Sequence, residues 1–118
     1  MFCVKKVFTF DAAHNLTKYK GKCEKLHGHT YKLEIKVCGD LNDEEMVLDF
    51  SDLSTIVKEE IISKLDHSYI NDIIPQPTAE MIAKWIWDKL SNRFRTERYK
   101  LQEVTVWETP TSCAIYFE

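Results

Sequence analysis

The clearest periodic signal in the chain sets Tyr31, Leu33, Ile35 and Val37 against Thr30, Lys32, Glu34 and Lys36, the period-2 pattern of a strand with one buried face. The opening segment repeats it, with Phe2, Val4, Phe8 and Phe10 at one parity, broken only by Lys6. A polar loop over residues 15–26 joins these two strands, and Gly39 to Glu45 reads as a turn. The period then changes: Leu53, Ile56, Val57 and Ile61 recur at helical spacing behind Asp52 as cap, which predicts a helix ending near Leu65. Pro75 and Pro77 bracket a loop, and Thr78 reads as the N-cap of a second helix with an apolar stripe of Ile82, Trp85, Ile86 and Leu90. Leu101–Trp107 and Cys113–Phe117 are short β-rich runs flanking Thr109-Pro110-Thr111-Ser112, a hairpin turn. The order is ββααββ, an α+β class with an antiparallel sheet and both helices on one face. The other face of so aromatic a sheet needs cover, and association of copies through the sheet supplies it.

Length and composition narrow the class. A chain of 118 residues is one domain, spanning 1–118, with one core. Its 44% hydrophobic and 30% charged residues argue against both disorder and a membrane protein. Sixteen basic against nineteen acidic residues give a net charge of −3, so there is no basic excess for nucleic acid. No signal peptide is legible near the N-terminus and no run approaches the roughly 20 apolar residues of a membrane span; the expected location is cytoplasmic. Cys3, Cys23, Cys38 and Cys113 are too scattered for a disulfide framework and are expected as thiols, with Cys3, Cys38 and Cys113 as small core fillers.

The histidines carry the chemistry. His27 and His29 flank Gly28, so on a strand both point to the face of Tyr31, Leu33 and Ile35; Gly28 itself reads either as part of this motif or as a bulge. His14 shares parity with Phe8, Phe10 and Ala12 if the first strand extends that far. Three imidazoles on an apolar face repel if protonated, whereas a divalent metal satisfies all three in their neutral form. Three histidine ligands leave one position open, as catalytic zinc is held. Cys23, four residues before His27, has two readings that spacing does not separate: a thiolate activated beside the cation, or a fourth ligand closing a structural zinc site in a non-catalytic binding module. Asp66 and His67 form an adjacent acid–imidazole pair suited to proton transfer. Glu108 has the inward parity of Val104 and Val106, where a ligand edge with two N–H donors would satisfy it, such as that of a guanine or pterin; a salt bridge is the plainer alternative.

The motifs Phe-Asp-Ala-Ala-His (10–14), Cys-x-x-x-His-Gly-His (23–29), Met-Val-Leu-Asp-Phe (46–50), Leu-Asp-His (65–67), Pro-Thr-Ala-Glu (77–80) and Trp-Glu-Thr (107–109) together resemble the 6-pyruvoyltetrahydropterin and 6-carboxytetrahydropterin synthases of the tunnelling fold. That resemblance implies zinc held by His14, His27 and His29, Cys23 as proton-abstracting thiolate, Asp66 and His67 as the second catalytic pair, and Glu108 as pterin anchor. It also implies a homohexamer, a dimer of trimers with active sites at subunit interfaces. Three residues between Cys23 and His-Gly-His resemble the carboxytetrahydropterin branch, which serves queuosine synthesis by converting 7,8-dihydroneopterin triphosphate into 6-carboxytetrahydropterin, acetaldehyde and triphosphate. Glu24 complicates this, because a related subgroup that forms 6-hydroxymethyldihydropterin for folate uses a glutamate near this position, although Glu24 also reads as a solvated loop charge; for the protein as a whole, a non-catalytic pterin carrier is a further alternative. Met81 stands where the family commonly has Asn, a departure that touches no proposed catalytic residue. Lys18, Lys20, Lys22 and Lys25 are candidates for the triphosphate by charge alone, and imidazole ligands also suit iron or nickel.

Overall fold

The computed structural model describes residues 1–21 and 24–118. Strands β1 (Phe2–His14) and β2 (His27–Gly39) pair antiparallel along their whole length, from Phe2 opposite Gly39 to His14 opposite His27. Gly28 therefore sits in a regular ladder opposite Ala13 and makes no bulge. Strand β4 (Tyr99–Thr109) pairs with β2, and β5 (Ser112–Tyr116) folds back on β4. A two-residue strand, β3 (Ser68–Tyr69), lies parallel to β1 and completes the order β3-β1-β2-β4-β5. The sheet is thus mixed rather than wholly antiparallel; two residues are too few to show a period.

The first helix runs as α1 (Phe50–Val57), a wide π turn (Lys58–Ile62) and a final α turn, α2 (Ser63–Leu65), ending where the apolar period predicts. Its cap is Asp49 and not Asp52. Asp49 keeps an extended backbone and its carboxylate accepts from the Ser51 N–H at 2.7 Å, while Asp52 lies inside the first turn, where its charge still suits the helix dipole. Helix α3 (Ala79–Leu90) is capped as expected, with Thr78 Oγ1 accepting from Met81 N–H at 3.1 Å.

Tyr31, Leu33, Ile35 and Val37 are fully buried, packed in one cluster with Leu53, Val57 and Ile61 of the first helix and Ile82, Ile86 and Leu90 of α3. Each such side chain contributes roughly 1.5–3 kcal/mol on leaving water. The helix-free face stays open: Val7 and Ile115 are each 50% exposed. Phe2, although of inward parity, is exposed.

The cysteines depart from expectation. Cys3 and Cys38 face each other across the β1–β2 ladder, with Cα atoms 4.0 Å apart, and form a disulfide; scatter in sequence says nothing about strand register. Of the three proposed core fillers only Cys38 is buried, Cys3 and Cys113 being exposed.

A candidate metal centre of three histidines and a glutamate

The β1–β2 register that opposes His14 to His27 also brings His29 alongside, because residues two apart on β2 share a face. The three rings meet edge to face, with centroids 4.7–5.0 Å apart. His14 is 1% exposed, and its Nδ1 donates to the carbonyl oxygen of Pro77 at 2.9 Å. His27 Nδ1 donates likewise to Lys25 O at 2.8 Å. With both Nδ1 atoms so engaged, the two Nε2 atoms of the neutral rings turn their lone pairs toward each other at 3.1 Å, an approach that a shared proton or a bound cation would satisfy.

Glu108 enters this cluster. It keeps the inward parity of Val104 and Val106 and lies at the end of β4, where the β4–β5 pairing shifts between Trp107 and Thr109. Its Oε1 lies 3.3 Å from His14 Nε2 and 3.1 Å from His29 Nε2, the latter without hydrogen-bond alignment. One ligand atom from each of His14, His27, His29 and Glu108 falls within 4.8 Å of all the others. Burial holds the His29 pKa below its ordinary value; Glu108 opposes this, while His14 and His27 reinforce it. Neutral imidazole is the metal-binding form.

Beneath the cluster, Tyr31 is fully buried, stacked on Phe10 at 5.0 Å and edge-on to His29 at 5.5 Å. Burial pushes its phenol pKa up, with Glu108 and Glu24 adding to the effect. Its hydroxyl and His29 Nε2 are the buried side-chain polar atoms without a hydrogen-bond partner among the described residues.

Glu24 borders the site. Its carboxylate accepts from Leu16 N–H at 3.2 Å and stands 3.8 Å from His27 Nδ1. Cys23 and Lys22 lie outside the described residues; Lys18, Lys20 and Lys25 are exposed nearby in the chain.

Asp66 and His67 form a second cluster. Asp66 Oδ1 lies 3.1 Å from His67 Nδ1 and accepts from the Asp11 N–H at 3.0 Å, while His67 N–H donates to Asp11 O at 2.6 Å. Asp11 thus clamps both residues through its backbone, and its carboxylate joins them within 4.8 Å. The hydrogen bond from Asp11 holds the Asp66 carboxyl below its usual range, His67 adding to this. His67 adopts a left-handed backbone, φ 60°. Asp11 is missed by periodicity, being an outward position, although it stands inside the Phe-Asp-Ala-Ala-His motif. The parity of Asp11 and Thr30 puts this second cluster on the helix-free face, where a groove of about 510 Å³ is lined by Asp11, Gly28, His29, Thr30, His67 and Ser68 among others. The structure brings His14, His27, His29 and Glu108 together, and keeps Asp66 and His67 as a separate pair across that groove.

A mixed α+β sheet carrying an imidazole–carboxylate cluster at one end defines a tunnelling-fold domain with a candidate metal centre. The chain belongs to the 6-pyruvoyl tetrahydropterin synthase family, whose family model matches residues 3–118. It is similar to 6-carboxy-5,6,7,8-tetrahydropterin synthase of Haemophilus influenzae, 38% identical with 100% of each chain covered. A Synechocystis protein of the same name is 39% identical over 99% of this chain and 94% of its own. Among solved structures, 6-pyruvoyl tetrahydropterin synthase of Caenorhabditis elegans superposes with a TM-score of 0.85 at 25% identity, covering 99% of this chain and 95% of that one.

Proposed function

We propose that the protein is a zinc-dependent 6-carboxy-5,6,7,8-tetrahydropterin synthase, a carbon–oxygen lyase of queuosine synthesis. It converts 7,8-dihydroneopterin triphosphate into 6-carboxytetrahydropterin, acetaldehyde and triphosphate. The observation that carries the reading is the Nε2–Nε2 approach of His14 and His27 at 3.1 Å with both Nδ1 atoms committed to carbonyls, a donor set built for a cation. Relatives carrying that enzyme name over the full chain support the choice of reaction.

His14, His27 and His29 hold the ion, and a divalent ion bound there supplies Lewis-acid polarisation of substrate side-chain oxygens. Glu108 accepts the N–H donors of the pterin edge, which orients the ring against the imidazoles. The Asp66–His67 pair takes or returns a proton, Asp66 holding the imidazole by its Nδ1. Cys23 is the second proton-transferring group, acting as a thiolate. The open sheet face and the separation of the two clusters favour a homohexamer, a dimer of trimers, with sites completed between copies. No described helix is long and apolar enough to cross a membrane, and we place the enzyme in the cytoplasm with no nucleic-acid partner.

A second reading is favoured by Glu24, whose carboxylate stands 3.8 Å from His27 Nδ1: the same site also cleaves dihydroneopterin-type substrates to 6-hydroxymethyldihydropterin, the folate branch. Parallel incubations with 7,8-dihydroneopterin triphosphate and dihydroneopterin, followed by mass spectrometry of the pterins, test both. Carboxytetrahydropterin from the triphosphate is expected. Hydroxymethyldihydropterin as the sole product would replace the first reading by the second, and unchanged substrate in both would leave a binding module.

A further inference from the structure

We propose that Glu108 is an exchangeable fourth ligand: its carboxylate closes the cation site while no pterin is bound and leaves the ion when the pterin edge claims it. The ligand half stands on donor geometry alone; the exchange half rests on the pterin reading above.

Four donors about 2.0–2.1 Å from one tetrahedral ion lie about 3.4 Å from one another. The separations here are 3.1 Å between His14 Nε2 and His27 Nε2, 3.3 Å from His14 Nε2 to Glu108 Oε1, and 3.1 Å from His29 Nε2 to the same oxygen. All four donor atoms lie within 4.8 Å of one another. The carboxylate therefore stands where a fourth ligand stands, in the position that three histidines alone leave open.

The four donors are not held alike. His14 and His27 are fixed from behind by the Pro77 and Lys25 carbonyls. The Glu108 carboxylate has the His14 and His29 nitrogens as its partners among the described residues, and its side chain is 30% exposed. It comes from the bulged end of β4, whereas the histidines sit in the unbroken β1–β2 ladder. Held by no backing carbonyl among the described residues, this carboxylate can rotate off the ion while the β1–β2 ladder stays paired. An anionic oxygen that satisfies two pterin N–H donors gives up its electron density to them, so ion and pterin compete for it.

Coupling of this kind is reciprocal, which makes it measurable without turnover. Zinc affinity is read by competition with a chromophoric chelator for the native protein, Glu108→Ala and the near-isosteric Glu108→Gln, with and without plain pterin, which has the amino-pyrimidinone edge but no side-chain oxygens. Cobalt-loaded protein gives the coordination spectrum in parallel. We expect Glu108→Ala to weaken zinc about tenfold or more, as losing a metal-site carboxylate does. Saturating pterin should weaken native zinc binding by a similar factor and change the cobalt bands. Equal zinc affinity in native and both variant proteins would overturn the ligand role. Pterin that binds, seen by its fluorescence, while zinc affinity and cobalt bands stay unchanged would overturn the exchange and leave the functional reading standing. Failure of pterin to bind at all would overturn that reading and the exchange with it, while the Glu108→Ala comparison still decides ligation.

Discussion

His14, the last residue of β1, donates its Nδ1–H across 2.9 Å to the carbonyl oxygen of Pro77, the residue just before the cap of α3. This one bond fixes the ring's tautomer and aims Nε2 into the cluster, the usual office of a partner behind a metal-binding histidine. His14→Ala should therefore abolish stoichiometric zinc binding by metal analysis. Removing the ring also leaves a buried carbonyl unpaired, at about 1–3 kcal/mol. Pro77→Ala keeps the carbonyl and should hold zinc within a few-fold of the native protein.

The metal-free protein should lose stability as pH falls through the lowered pKa of His29. A histidine whose folded pKa lies below its unfolded one favours the folded state in its neutral form. Its contribution is complete above the ordinary value of 6.5 and is lost as pH drops through the folded value. Asp49 and Asp66, both held below their usual range, act in a lower window, beneath the ordinary carboxylate pKa. Thermal melts of metal-free protein between pH 8 and 5 check this: His29→Gln should show the shallower decline, and an equal slope in both proteins would contradict the assignment.

Two glycines should respond oppositely to alanine. A Cβ on Gly39 would lie 2.3 Å from the Arg98 carbonyl oxygen and 2.6 Å from Tyr99 Cα, so backbone must move; Gly39→Ala should cost about 3 kcal/mol, at the upper end for overpacking. A Cβ on Gly28 meets only Ala12 O at 3.5 Å, an ordinary contact, but it enters the groove between the two clusters. Gly28→Ala should melt like the native protein and retain zinc while losing substrate affinity, measured as a raised KM.

Much of this was legible in the sequence. Tyr31 through Val37 alternate without error, and the parity of His14, His27, His29 and Glu108 predicted one inward-facing group, because strand periodicity reports side-chain direction directly. The cap was misplaced by three residues, since Asp49 and Asp52 are the same residue type and only backbone conformation distinguishes them. The Cys3–Cys38 pair was missed because it depends on cross-strand register, which no single strand reveals. Asp11 was missed because its contribution to Asp66 and His67 is made by backbone N–H and C=O groups that every residue possesses.

Asp66 and His67 should matter to turnover and not to the metal. Asp66→Asn should lower kcat by about 10²–10⁴, the range for a positioned acid–base group, with zinc content unchanged. His67 holds a left-handed backbone, φ 60°, which costs a residue with a Cβ about 1 kcal/mol or more. His67→Gly should thus be more stable than His67→Ala by about 1 kcal/mol in denaturant unfolding, both being inactive. If the site is completed between copies, mixed oligomers of His14→Ala and Asp66→Asn chains should regain part of the activity that neither has alone.

Loaded with zinc, this imidazole cluster should break down a pterin triphosphate. Zinc-loaded and chelator-stripped protein are incubated with 7,8-dihydroneopterin triphosphate, and 6-carboxytetrahydropterin and acetaldehyde are quantified together. Equal amounts of the two products are expected from the loaded protein, and none from the stripped protein until zinc is restored. Undiminished product formation after zinc is removed, or no acetaldehyde from fully loaded protein, would contradict this expectation.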